Sequence, residues 1–203
     1  MAILRSVEEL EGLYGHPKGG AVFKEIPYLN AHYRAFVEAS PFVVLASAGP
    51  GGLDCSPKGD APGFVRVFDE KTLAIPDRLG NNRIDTLRNL VVDPRLALLF
   101  LVPQRSETLR VNGKAMISTD AELLASFAVD GKPPRSIIRV TVDSAYVHCA
   151  KAFMRSKLWE RAAEGERPSL PSMGEIMALL SANSVDATTY DREAPERLKA
   201  TLY

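Results

Sequence analysis

Hydrophobic positions in this 203-residue chain fall into two patterns. Dense or alternating apolar runs read as strands: "PFVVLASA" (41–48), a run through "LDCSPKGD" (53–60), "FVRVF" (64–68), "LAIP" (73–76), "RLALLFLV" (95–102), "ETLRVNGKAMIS" (107–118) and "SIIRVTVDSAYVH" (136–148). "GPGG" (49–52) and "DEKT" (69–72) separate neighbours as tight turns, and Gly113 reads as a bulge. Helical spacing appears elsewhere. Ser6 with Glu9 is a capping box opening a short helix that ends near Gly15. Leu29, Tyr33, Phe36 and Val37 make a stripe in "YLNAHYRAFVEAS", Asp120 caps "AELLASFAV", and "AKAFMRSKLWERAA" (150–163) reads as one helix. Two more helices follow Ser172 and Asp186, the first with a second capping box at Glu175.

Six or seven strands joined by short turns, with few helices between them, predict a mainly β fold with flanking helices (α+β). A small antiparallel barrel suits this order better than an alternating parallel sheet. The expected organisation is a single domain, 1–203. Its barrel core covers about 27–160, with an N-terminal helix at 6–15. A helical arm over about 165–203 follows the linker-like "EGERPSLPS" (164–172).

"IPDRLGNNRIDTLRNL" (75–90) poses an electrostatic question. Asn82 is placed as an N-cap, Asp85 follows three residues later, and Ile84, Leu87 and Val91 share a helical face. Arg83 then falls in the first turn, where free backbone N–H groups already carry partial positive charge. With Arg78 just upstream, the arrangement asks for an anion. The bland alternative is that Asp85 pairs with Arg83 or Arg88 while Arg78 is solvated.

Composition narrows the partners. Lys plus Arg and Asp plus Glu number 25 each, so no global field draws nucleic acid or an anionic membrane surface. No apolar run reaches the roughly 18 residues needed to span a bilayer. The acidic residues of "MAILRSVEELEGLYG" argue against a signal peptide, and Cys55 and Cys149 form no disulfide framework or metal-ligand spacing. A reduced, cytoplasmic setting without a bound metal is expected. His148 and Cys149 read as a packed histidine and an inert buried thiol, and Cys55 likewise.

The ordered set "SPKGD", "IPDRLGNNRIDTLRNL", "DPRLALLFLVP" and "ETLRVNGKA", with "HCAKA…RS.LW" near the barrel's end, resembles the pyridoxamine 5′-phosphate oxidase-like family of FMN-binding split barrels, in its branch of uncharacterised bacterial flavoproteins. The resemblance spans roughly 27–160. It implies a six-stranded antiparallel split β-barrel and a homodimer with FMN in clefts between subunits. The phosphate would sit at "RLGNNR", held by Arg78, Asn81, Asn82 and Arg83. Ser56 and Lys58 would donate to ring or phosphate oxygens, and Asp60 would orient Lys58 or accept from the ring. Ile75, Pro76 and Asp77 would lie along the isoalloxazine. Thr108 and Arg110 share one face of the next long strand; Thr108 occupies a polar FMN-contact position, and Arg110 either reaches the phosphate or faces solvent. Pro57 cannot donate to a ladder and Gly59 permits close backbone approach, so "DCSPKGD" is not expected to pair as an ordinary strand; the competing reading is an edge strand ended by a Pro-Gly turn.

Lys151, Arg155 and Trp159 recur every four residues and so share one face of the expected helix, suited to covering a flavin or capturing an anionic substrate. The alternative is a solvated cationic pair beside a core tryptophan. The arginine-and-histidine signature of true pyridoxamine phosphate oxidases is not recognisable. The implied function is therefore an FMN-dependent oxidoreductase acting on an unidentified small molecule, with no catalytic residue marked. Alternatives are a non-catalytic flavin-binding or redox-sensing protein, or a haem- or deazaflavin-binding split barrel.

Overall fold

The apolar runs pair into one seven-stranded antiparallel sheet in the computed structural model, which describes residues 3–165 and 168–203. Helices α1 (Val7–Tyr14), α2 (Gly20–Phe23) and α3 (Ala31–Ala39) precede β1 (Phe42–Gly49), β2 (Gly52–Gly59), β3 (Arg66–Val67) and β4 (Thr72–Asp77). Then come α4 (Asp85–Val92), β5 (Arg95–Leu101), β6 (Thr108–Ser118), α5 (Ala121–Ser126) and β7 (Ser136–His148). The chain continues through α6 (Lys151–Ser156), α7 (Leu158–Ala163), α8 (Met173–Leu180) and α9 (Ala187–Ala200). Strand order is β2-β1-β5-β6-β7-β4-β3. The fold class is the expected one, with seven strands in place of six because the two-residue β3 pairs with β4. The linker reading at 164–172 lies partly outside the described residues.

Period-two alternation decides which face turns inward. Val43 and Leu45 of β1, Leu96, Leu98 and Phe100 of β5, Leu109 and Val111 of β6, Ile138 and Val140 of β7, and Leu73 and Ile75 of β4 join one buried cluster. Asn30 caps α3 by accepting from the Tyr33 amide, and Leu29, Tyr33 and Val37 seat that helix on the cluster. Gly113 is required by packing: a Cβ there would meet the Thr141 carbonyl oxygen at 2.2 Å. The register slips at this point, with Asn112 opposite Ser144 but Gly113 opposite Val142, so Asp143 is the extra residue.

The sheet is curled. Strands β2 and β4 stand first and sixth in the order, about 24 Å apart if the sheet were flat. Yet Lys58 on β2 and Asp77 on β4 form an ion pair of 2.6 Å, and Arg78 meets Asp60 at 2.9 Å. Side chains thus bridge a seam that no backbone ladder closes, which is a split barrel.

Three local expectations are corrected. "DCSPKGD" pairs normally: β2 is an edge strand in full register with β1, and Pro57 opposes Val44. The helix expected over 150–163 breaks at Lys157, whose φ of 50° separates α6 from α7. On α4, Thr86 and Leu90 are buried with Leu87 packed beside them, whereas Val91 is 76% exposed. Among the described residues no helix is long and apolar enough to cross a membrane.

Candidate functional site

Where the β4 end, the 78–84 loop and the α4 start meet the inner side of β2, a cleft of about 530 Å³ opens at the seam. Ser56, Lys58, Asp77, Arg78, Asn81, Asn82 and Arg83 all line it, so most of the expected binding residues converge. The alternation of β2 explains part of this, because Asp54, Ser56 and Lys58 point to one side.

The loop has an unusual backbone. Asn82 and Ile84 have φ of 59° and 50°, and α4 begins after Ile84, which provides no side-chain cap. Asn82 is therefore not the N-cap, and Arg83 precedes the helix instead of occupying its first turn. Left-handed geometry is tolerable for asparagine but costs a β-branched residue about 1–3 kcal/mol. Such strain persists where surrounding structure imposes it. With the helix starting here, the amides of Ile84, Asp85, Thr86 and Leu87 have no backbone acceptor among the described residues, and all four residues line the cleft.

The charges divide into committed and available groups. Lys58 is held by Asp77, not by Asp60 as expected. Arg78 is also committed: its Nε donates to Asp60 at 2.9 Å and its Nη1 to the Phe127 carbonyl at 2.8 Å. Burial alone would raise the Asp60 pKa, but hydrogen bonds from Tyr203, the Ala61 amide and Arg78 together hold it below the ordinary value. Arg83 pairs with Asp85 at 2.8 Å, the bland arrangement, with its side chain 74% exposed. Asn81 Oδ1 accepts from the Arg83 amide and Asn82 Oδ1 from Arg135 Nη1 at 3.0 Å, leaving both side-chain NH₂ groups as donors.

Several lining residues escaped the sequence reading. Arg135 enters because Asp77 pairs with Ser136 in the β4–β7 register, and nothing in "KPPRS" marks it beyond a rigid Pro-Pro approach to a strand. Asp54 accepts from Thr86 Oγ1 at 2.5 Å and from Ser56 Oγ at 3.0 Å, joining β2 to the first turn of α4.

Other expected residues lie elsewhere. Ile75 and Pro76 are buried in the wall of the barrel, and only Asp77 of that trio reaches the cleft. Asp60 sits behind Arg78. Thr108 and Arg110 occupy the outer face of β6, with Arg110 3.9 Å from Glu25 and stacked over Tyr146. Trp159 stacks on Phe153 and donates to the Arg105 carbonyl at 2.7 Å, so it pins α7 to the β5–β6 connection. The kink at Lys157 removes the shared face with Lys151 and Arg155, and none of the three lines the cleft. His148 packs edge-on against Tyr146, its pKa lowered by burial and by the charges of Arg110 and Lys24. Cys149 is exposed, not buried, and the Lys151 amide lowers its thiol pKa; Cys55 is exposed as well.

No curated protein matches the chain. Among solved structures it is similar to HupZ of Group A Streptococcus (18% identity over 58% of this chain and 92% of that one, TM-score 0.47). General stress protein 26 from Bacillus anthracis matches at 14% identity over 56% and 88%, with a TM-score of 0.43. A protein related to general stress protein 26, of the pyridoxinephosphate oxidase family from Clostridium acetobutylicum, matches at 15% over 58% and 85%, with a TM-score of 0.45. The pyridoxamine 5′-phosphate oxidase profile matches residues 29–149, from the start of α3 through the cleft to the end of β7. That match covers more than half of the sequence, and the chain belongs to the pyridoxamine 5′-phosphate oxidase family.

Proposed function

We propose that the seam cleft holds the phosphate of FMN and that the protein is an FMN-dependent oxidoreductase acting on a small molecule. The observation that carries this reading is the start of α4 in the cleft, where the amides of residues 84–87 have no backbone acceptor among the described residues and Arg83 and Arg135 line the same space. Free N–H groups at a helix start with guanidinium groups nearby are a phosphate site in physical terms. The volume, about 530 Å³, is in the range of small-molecule and cofactor clefts.

The residues present fit a phosphate dianion. Exposed ion pairs contribute only about 0–1 kcal/mol, so Arg83 leaves Asp85 at little cost when an anion arrives. Arg135, whose guanidinium among the described residues meets only the neutral Asn82 side chain, would be the second cation. The amides and the Asn81 and Asn82 NH₂ groups would supply directional bonds. Lys58 and Asp77, locked together on the inner wall, would orient polar groups of a bound ring without adding net charge. FMN, when bound, supplies hydride or electron transfer at its ring; the chain supplies position and exclusion of water.

The expected homodimer is retained in the proposal. Val44 and Ala46 of β1 and Leu99 and Leu101 of β5 make a half-buried apolar face on the outside of the sheet. Arg110 lies on the same outer face, where a second copy would bring it toward its own cleft; Thr108, beside it, is already covered by its own chain.

The visible spectrum of the purified protein, titrated with FMN and separately with riboflavin, tests the proposal. Oxidised-flavin bands with FMN bound at least tenfold tighter than riboflavin are expected. Equal affinities would remove the phosphate site from the reading, and no flavin binding would remove the flavoprotein. Consumption of NADH or NADPH by the FMN-loaded protein then separates an oxidoreductase from a flavin store.

A further inference from the structure

Behind the cleft, Asp60 is buried with its side chain only 4% exposed, and it accepts from three donors. Arg78 Nε reaches one oxygen at 2.9 Å; the Ala61 amide and the Tyr203 hydroxyl reach the other at 2.7 and 2.6 Å. Tyr203 is 143 residues away in sequence and lies beyond α9, in the arm that the sequence left without a role. Its ring centroid is 5.3 Å from the Arg78 guanidinium carbon, and its carbonyl accepts from Lys132 Nζ at 3.3 Å. A second cavity, about 230 Å³, lies between Tyr203 and the 132–135 segment and shares Arg78, Leu79 and Arg135 with the cleft. The segment after α9 thus backs the wall that carries two of the cleft's cations.

We propose that Tyr203 is a positioning residue for the anion site: its hydroxyl fixes Asp60, and Asp60 with the Phe127 carbonyl fixes Arg78, which lines the cleft. The chain of contacts gives the reason. A long arginine side chain has many rotamers, and an anion meeting a disordered one must fix it on binding. Here the cost is met on folding, because Nε and Nη1 both have acceptors and the ring of Tyr203 covers the guanidinium. Without the hydroxyl, one Asp60 oxygen keeps only the Ala61 amide, and the buried carboxylate draws Arg78 away from the cleft to compensate. The identity of the anion as the FMN phosphate rests on the function proposed above; the fixing of Arg78 does not.

Two readouts on Tyr203→Phe, Tyr203→Ala and Asp60→Asn test this. The first is the Arg78 Nε–H resonance in the unliganded protein. The second is affinity for FMN beside riboflavin. Tyr203→Phe, which keeps the ring, is expected to shift the Arg78 resonance and weaken FMN about three- to tenfold, the scale of one hydrogen bond, with riboflavin affinity unchanged. Asp60→Asn should reproduce both effects, and Tyr203→Ala should exceed them. An unmoved Arg78 resonance in Tyr203→Phe overturns the proposal, and so does equal weakening of both flavins, which marks a merely structural role. If the wild type binds neither flavin, the FMN reading fails by itself, and inorganic phosphate followed at the Arg78 resonance decides. A phosphate response weaker in Tyr203→Phe supports the positioning role, and no response in the wild type overturns it.

Discussion

Lys58 Nζ lies 2.6 Å from Asp77 Oδ1, although their strands are the first and sixth of the sheet. Both side chains are largely shielded from solvent, and the pair stands on the inner wall of the cleft. The contact does two things at once. It holds the open edge of the curled sheet against β4 without a backbone ladder, and it removes one lysine from the pool of cations facing a ligand. The seam and the candidate site are therefore one structure.

If this pair holds the seam, the double-mutant cycle of Lys58→Met and Asp77→Asn in urea unfolding should show coupling of roughly 0.5–3 kcal/mol, as for contacting residues. Each single variant should cost more than the double, because it leaves one shielded charge without its partner. Zero coupling would mean that the seam stands open in solution.

Arg135→Ala and Arg83→Ala should each weaken FMN by about 1.5–3 kcal/mol, the scale of a hydrogen bond to a charged group, and leave riboflavin nearly unaffected. Asp85→Asn should strengthen FMN slightly, since it releases Arg83 from its exposed partner. Isothermal titration at constant ionic strength measures all three. A stronger dependence on Lys58 than on either arginine would relocate the phosphate.

Asp60 supplies a pH signature. Its folded pKa lies below the ordinary aspartate value of 3.8, so its contribution to stability is fully present above that value and is lost as pH falls through the folded pKa. The stability gap between wild type and Asp60→Asn should be constant from pH 5 upward and should shrink below the ordinary carboxylate range. Urea midpoints at a series of acid pH values check this; a gap that widens on acidification contradicts it.

Gly113→Ala should destabilise the protein by about 1–3 kcal/mol, the cost of overpacking, because the contact is with backbone and neither strand can give way. For a chain of this length that is a fall in Tm of roughly 2–4 °C per kcal/mol, read by calorimetry. Gly51→Ala, with nothing near its Cβ, is the control.

Leu99→Arg on the outer face of β5 should convert a dimer to a monomer in light scattering while the far-UV dichroism stays unchanged. FMN affinity should fall with it if Arg110 serves the partner's cleft. A wild type that is already monomeric would refute the proposed dimer.

Strand positions and the inward face of each strand were legible in the sequence, because alternation with period two has only one register that buries the apolar set. The helix starts at Ser6, Asp120, Ser172 and Asp186 were legible for a similar reason, since a cap is a contact between residues two or three apart. The family motifs marked "RLGNNR" (78–83) as the phosphate loop, and these residues do line the cleft, whereas Ile75 and Pro76 do not. What the charges in that loop do was decided elsewhere. Arg78 turns to Asp60 and Phe127, Lys58 to Asp77, and Arg135 and Tyr203 arrive from distant segments. The left-handed backbone at Ile84 displaced the helix start past the asparagine that resembled its cap. Periodicity and caps are local, so a single chain segment determines them. The partner of a charged side chain is set by which segments the curled sheet brings within a few ångströms, and only the tertiary structure contains that information.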